Sequence, residues 1–173
     1  MTLRHNLLTL LNLIMNKIIK NTLNKDYLYM GIDFGIKKIG FAIGQIITTK
    51  TTPLKIINNY NNKINWTEIH NIIENWKPNV IIIGYPYSKK KGMLIKKLDK
   101  FIEDLNDKYK DSIQVLTFSE VLSTEESKTI YSDMRKSNYK INQKVNLDDL
   151  SASIILQSCF NKNKVNSENE PRT

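Results

Sequence analysis

At three places acidic residues stand where regular elements of this 173-residue chain begin or end. Asp33 closes an apolar run, YLYMGID, and is followed by Gly35 and a basic pair, Lys37 and Lys38. Glu120 follows another apolar run in FSEVLST, and Asp148 with Asp149 opens a helical pattern in VNLDDLSASIILQS. A carboxylate set into a hydrophobic strand is costly to desolvate unless it is paired or holds a cation. Oxygen donors without histidine suit a hard divalent ion, Mg²⁺ or Mn²⁺. Two such ions about 3.5–4 Å apart cleave phosphodiesters by activating water and stabilising the leaving oxygen. The cation also relieves the repulsion of carboxylates brought that close. Each acid alone has a plainer reading: Asp33 as a turn residue beside a turn glycine, Asp148 and Asp149 as charges complementing a helix N-terminus.

The elements that must bring these acids together follow from periodicity. Residues 27–33 and 39–44 read as two strands joined by the Gly35 turn. Residues 45–57, rich in Ile and Thr, give a third, and Pro53 marks it as an edge. Ile69, Ile72, Ile73 and Trp76 make the stripe of a helix over 66–76, which Pro78 stops. NVIIIGY (79–85) is a short β-branched run suited to a strand buried on both faces, as in a parallel sheet. Leu94, Leu98, Phe101, Ile102, Leu105 and Tyr109 mark a second helix, and residues 112–118 a fifth strand. Ser123 and Glu126 form a capping box for a helix to about residue 135. The last helix covers 147–160. On it Asp148 shares a face with Ser151, Ala152 and Ile155, small enough in part to let the helix lie close to a sheet. Asp149 points about 100° further round, so Asp148 is the acid expected to meet strand one. The order β-β-β-α-β-α-β-α-α implies an α/β fold with a mixed sheet, antiparallel on one side, and helices on both faces.

The chain divides into an extension over 1–26, one domain over 27–160 and a polar tail over 161–173 expected to be disordered. Residues 1–25 hold no acid, and Leu7, Leu8, Leu11, Ile14 and Ile18 fall at helical spacing. Such a basic amphipathic segment reads as an organellar transit peptide (plastid-type or mitochondrial), as a secretory leader with a poor core, or as an appended helix, in which last case the chain is cytoplasmic. The net charge of +9 and isoelectric point near 9.5 favour a polyanionic partner, nucleic acid before membrane. The preference for Lys over Arg, with abundant Asn and Ile, is also what AT-rich coding produces. No apolar run reaches membrane-spanning length. Cys159 lies within an apolar helical pattern, a core thiol of a reducing compartment. His5 and His70 are too far apart for a metal pair.

Four segments in series carry a resemblance. GIDFGIKKIGFA (31–42), IGYP (83–86), SEVLST (119–124) and DDLSASIILQS (148–158) match, in order, motifs of the YqgF/RuvX-like family. That family comprises Holliday junction resolvases of the RNase H-like superfamily, also associated with processing the 5′ end of precursor 16S rRNA. The resemblance covers about residues 28–160. It implies an RNase H-like fold: a five-stranded mixed sheet, three antiparallel strands and then parallel ones, with helices on both faces. It also implies an acidic triad at Asp33, Glu120 and Asp148 holding Mg²⁺ or Mn²⁺, and an endonuclease that hydrolyses phosphodiester bonds in structured nucleic acid. The substrate would be an rRNA precursor, with ribosomal precursor particles as partners, or branched DNA, and the enzyme a monomer or homodimer. Lys37, Lys38, Lys89, Lys90 and Lys91 would contact phosphates, helped by the amides near Gly92. The sequence departs from the family at Lys38, where the family's Arg would grip phosphate with two parallel bonds. It departs again at Ser119 and Val121, which replace an Asp and an Arg.

Two other readings stand beside this one. An ATP-binding domain of the actin, Hsp70 and sugar-kinase type begins with a similar phosphate loop, but needs two such domains and a second Gly-rich loop. A catalytically degenerate nucleic-acid-binding or ribosome-assembly module would keep the fold while losing the chemistry, and the changes at Ser119 and Val121 fit it.

Overall fold

A computed structural model describes residues 23–61, 63–86, 92–119, 129, 132–133 and 147–168, with the backbone alone at 147–149 and 163–168. The elements are β1 (Tyr29–Phe34), β2 (Lys38–Gln45), β3 (Lys50–Asn58), α1 (Trp66–Trp76), β4 (Val80–Tyr85), α2 (Met93–Tyr109), β5 (Gln114–Ser119) and α3 (Leu147–Glu168). The strands form one sheet in the order β3-β2-β1-β4-β5. β1 and β2 pair antiparallel, as do β2 and β3, whereas β1 with β4 and β4 with β5 are parallel. This is the mixed sheet that the element order implied.

Period-two alternation sends each strand's residues to opposite faces. Met30, Ile32 and Phe34 join Ile69, Ile73, Leu98, Phe101 and Leu105 beneath α1 and α2. Tyr29 joins Leu156, Cys159 and Phe160 beneath α3. Strand β4 contributes Ile81 and Ile83 to the first cluster and Val80 and Ile82 to the second, so its unbroken apolar run is covered on both sides. Burial pushes the Cys159 thiol up to about 12, consistent with a core residue.

The ends of the elements follow local chemistry. The Asn65 side chain accepts the Glu68 amide and donates to the Glu68 carboxylate, capping α1. α1 ends at Lys77, left-handed at φ 45°, whose amide bonds the Ile73 carbonyl before Pro78. β3 begins at Lys50 rather than at residue 45. The Ile- and Thr-rich stretch looks extended by propensity, but its first residues make the hairpin turn. Thr48 Oγ1 donates to the Gln45 carbonyl, Thr49 adopts φ 50°, and Ile47 is left exposed. Pro53 lies on the edge strand opposite Ala42, beside the shift in β2–β3 register. α3 runs to Glu168, eight residues past the expected end at Phe160, so the polar segment 161–168 is helical along its backbone. The expected extension over 1–26, apart from its last residues, lies outside the described residues. So does the helix expected over 123–135, apart from Thr129, Ser132 and Asp133. Among the described residues no helix is long and apolar enough to cross a membrane.

Rings join α1 to α2 and to the sheet. Trp66 stacks on His70 and on Phe101, and Phe101 meets Phe34. His70 Nδ1 lies 2.9 Å from the Tyr109 hydroxyl. Burial, with the Lys108 ammonium as a smaller cause and Glu74 opposing, holds the His70 imidazole below its ordinary 6.5. Burial, with the Glu74 carboxylate, raises the Tyr109 phenol. The sign for stability follows by linkage. Above pH 6.5 His70 is neutral in folded and unfolded chains, and its contribution is complete. Below 6.5 the unfolded chain takes the proton first, and stability falls. Thermal unfolding followed from pH 7.5 to 5 is expected to show Tm declining, with a shallower decline in His70→Phe. An unchanged slope in the variant would remove His70 as a cause.

Candidate active site

Asp33 is the last but one residue of β1, partly buried, on the face that α3 covers. Its position follows from alternation: Tyr29, Gly31 and Asp33 take one face, while Met30, Ile32 and Phe34 take the other. Opposite Asp33 on β2 stands Gly40. An ideal Cβ on Gly40 would lie 3.8 Å from the Asp33 Cβ and 3.7 Å from the Ala152 Cβ. The missing side chain leaves space beside the carboxylate that any other residue would fill.

The helix that borders this space is seated by a second glycine. A Cβ on Gly31 would stand 2.6 Å from the Ala152 carbonyl oxygen and 3.0 Å from the Leu156 Cβ. Further along, Phe160 lies 3.0 Å from where a Gly44 Cβ would be, and its ring meets Tyr29 edge-on at 5.4 Å. Ala152, Leu156 and Phe160 form one i, i+4, i+8 row. The row runs antiparallel to β1, with Phe160 near its start and Ala152 near its end. Asp148 is four residues before Ala152, one helical turn of about 6 Å beyond Asp33's neighbour. Small side chains on that face were expected to let the helix approach, and they do so at Ala152. Gly31, not singled out from sequence, makes the closest approach. Its G-x-D spacing, which puts the glycine on the acid's own face, was the available signal.

Glu120 lies outside the described residues. It follows Ser119, the last residue of β5, and comes two positions after Phe118, which packs on the α3 face. Among the described residues no three His, Cys, Asp or Glu side chains converge as a metal cluster. What is present fits a hard cation in kind: a carboxylate, an oxygen donor, beside a cleared glycine position.

Lys37 and Lys38 are both exposed, in the turn and at the start of β2. Lys38 is two residues from Gly40, so alternation gives it Asp33's face. The turn is closed by a 2.9 Å bond from the Gly35 amide to the Lys38 carbonyl. A Gly35 Cβ would sit 2.7 Å from that oxygen, which explains the glycine. Asn59, unnoticed in the sequence, holds the turn from outside. Its amide donates to the Lys37 carbonyl at 2.8 Å, and its side-chain Nδ2 donates to the Ile36 carbonyl at 3.1 Å. Lys89, Lys90 and Lys91 lie outside the described residues. Gly92 is the N-cap of α2 and carries no side-chain cap.

A five-stranded sheet in this order, with an acid on its central strand and a long helix across that face, defines an RNase H-like domain of the resolvase type. The sequence profile of the RuvX Holliday junction resolvase family matches residues 27–162, and the chain belongs to that family. A Buchnera aphidicola protein named "Putative pre-16S rRNA nuclease" is 38% identical over 135 residues, 77% of this chain and 97% of its own. One of the same name from Shewanella oneidensis is 33% identical over 133 residues, 76% of this chain and 92% of its own. Among solved structures, Thermus thermophilus RuvC bound to a Holliday junction superposes with a TM-score of 0.57 at 12% identity, over 80% of this chain and 96% of that one. The yeast mitochondrial Holliday junction resolvase Ydc2 superposes with a TM-score of 0.56 at 12% identity, over 90% and 87%. Both show a shared fold.

The two glycines give opposite expectations. Gly31→Ala forces α3 off β1 and is expected to cost about 1–3 kcal/mol, the range for overpacking a core. Gly40→Ala meets only ordinary contacts and is expected to be neutral, or stabilising by up to about 1 kcal/mol through the unfolded chain. Urea denaturation of both variants checks this. Equal destabilisation by the two would contradict the seating of α3 described above.

Proposed function

We propose that the chain is a metal-dependent endonuclease that hydrolyses phosphodiester bonds in structured nucleic acid, with Asp33, Glu120 and Asp148 as its acidic site. One observation carries the reading. Asp33, the cleared position at Gly40 and the close seating of Ala152 share one face, with Asp148 one turn further along the same helix. Family membership supports the hydrolytic chemistry. The name carried by the relatives at 33–38% identity favours a ribosomal RNA precursor as substrate, before branched DNA.

Asp33, Asp148 and Glu120 would hold Mg²⁺ or Mn²⁺, which when bound lowers the pKa of water and offsets charge on the leaving oxygen. The chain's own part is placement. β1 is paired on both sides up to Ile32, and Asp33 pairs with Gly40 of β2, so Asp33 has a fixed backbone from which to orient an ion and the phosphate beside it. Lys38, on the same face, supplies positive charge to the phosphate as a point charge rather than a fork. Lys37, Lys89, Lys90 and Lys91 would add contacts along the backbone that position the substrate without reading its sequence. The sugar-phosphate contacts are indifferent to base identity, which suits recognition by shape. In this reading the enzyme works as a monomer on an RNA end, or as a homodimer if two strands of a junction are cut.

The test is cleavage of precursor rRNA and of a four-way DNA junction with Mn²⁺, comparing wild type with Asp33→Asn. Cleavage is expected to fall by about a hundredfold or more, since losing even a group that only supports a metal ligand costs up to about that. Binding should be retained, because the change removes a negative charge. Equal cleavage by both proteins would refute the metal site. Binding by wild type with no cleavage of either substrate would favour the non-catalytic module.

A further inference from the structure

Among the exposed large hydrophobic residues described, Tyr60 is the most open, at 69%. It stands just past β3, whose last residue, Asn58, pairs with Lys38. Between them is Asn59, which is bonded repeatedly to its surroundings. Its amide and side-chain Nδ2 donate to the Lys37 and Ile36 carbonyls, and its Oδ1 accepts the Asn65 amide at 3.3 Å. Tyr60 therefore leaves a backbone fixed to the turn that carries Lys37 and Lys38. On its other side the chain folds straight back. The Lys63 amide donates to the Tyr60 carbonyl at 2.9 Å, Asn61 takes φ 51°, and Tyr60 and Lys63 form an antiparallel bridge. Residues directly opposite in such a bridge project to the same side. Lys63 and Lys37 are exposed.

We infer that Tyr60, with Lys37 and Lys63, is a stacking site for an unpaired nucleotide of the substrate. The inference rests on the nucleic-acid reading above. An exposed ring at this corner serves no core. Lys37 and Lys63 are exposed on the two backbone segments bonded to this corner, which gives the combination that holds single strands: a π-face for the base and positive charge for the neighbouring phosphates. Bases inside a duplex are already stacked on one another, so the ring selects a nucleotide that is unpaired. Its location connects it to the acids. The row Asp33, Gly40, Ile56 crosses β1, β2 and β3 two residues before β3 ends at Asn58, so Tyr60 sits at the same end of the sheet as Asp33. The single strand would pass over the Tyr60 corner and reach the site as the duplex portion ends. Asn59 is the positioning residue of this corner, since it sets the spacing between the ring and the Lys37 turn.

The full-length chain is tested with three probes: an RNA hairpin bearing a short single-stranded RNA overhang, the same hairpin with a DNA overhang, and a blunt hairpin. 2-Aminopurine in each overhang reports stacking through fluorescence quenching. Tyr60→Ala is expected to weaken overhang binding on the order of tenfold and to abolish the quench. Blunt-hairpin affinity should be unchanged, and Tyr60→Phe should restore both overhang readouts. The stronger of the two overhangs identifies the sugar preferred, and loss of that preference in Tyr60→Ala supports the site. If Tyr60→Ala binds the overhangs as wild type does, or loses overhang and blunt probes equally, the stacking site is wrong while the nucleic-acid reading stands. If wild type binds none of the probes, both fall.

Discussion

The contact between the α3 backbone and strand β1 is the constraint on which the site depends. At Gly31 there is no room for even a methyl group before the Ala152 carbonyl. The helix is therefore held against the sheet by backbone and by dense packing, not by long side chains that could adjust. The row Ala152, Leu156, Phe160 fixes the direction of the helix along β1, and direction decides which end of the sheet receives Asp148. The glycine at position 40 does complementary work, since it admits Ala152 while leaving space beside the carboxylate.

The other side of the sheet contributes rigidity. α1 and α2 are clamped to it and to each other by Phe34, Phe101, Trp66, His70 and Tyr109. The cap of α1 extends that rigidity outward. Asn65 caps the helix through Glu68, and its own amide is held by Asn59, which in turn holds the Gly35–Lys38 turn. The basic turn at the mouth of the site is thus tied to the α1 core by a chain of hydrogen bonds. A phosphate meeting Lys38 would meet a lysine whose backbone is already ordered, so less entropy is lost on contact.

Much of this was legible in the sequence, because each signal had one physical cause. The NVIIIGY run had to be covered on both faces, and the Ile69, Ile73 stripe had to face a core. The alternation of the YLYMGID run put Asp33 on the face opposite Met30, Ile32 and Phe34. Other features were hidden because their causes are tertiary. Gly31 reads as an ordinary small residue until the helix is laid on it. Residues 46–49 have strand-forming side chains, yet turn because β2 must return through a hairpin that Thr48 and Thr49 close. The helical backbone past Phe160 has no apolar stripe to announce it. Asn59 and Tyr60 lay in an Asn-rich stretch that looked like simple loop composition; only the bonds of Asn59 to the neighbouring turn set them apart.

The acids near the end of β1, after β5 and at the start of α3 are expected to share a divalent ion. Anomalous diffraction from crystals of the full-length chain soaked in Mn²⁺ tests it most directly. The account predicts a peak beside Gly40 with carboxylate oxygens of Asp33, Asp148 and Glu120 around it. Bound Mn²⁺ elsewhere, with no peak at Asp33, would contradict it.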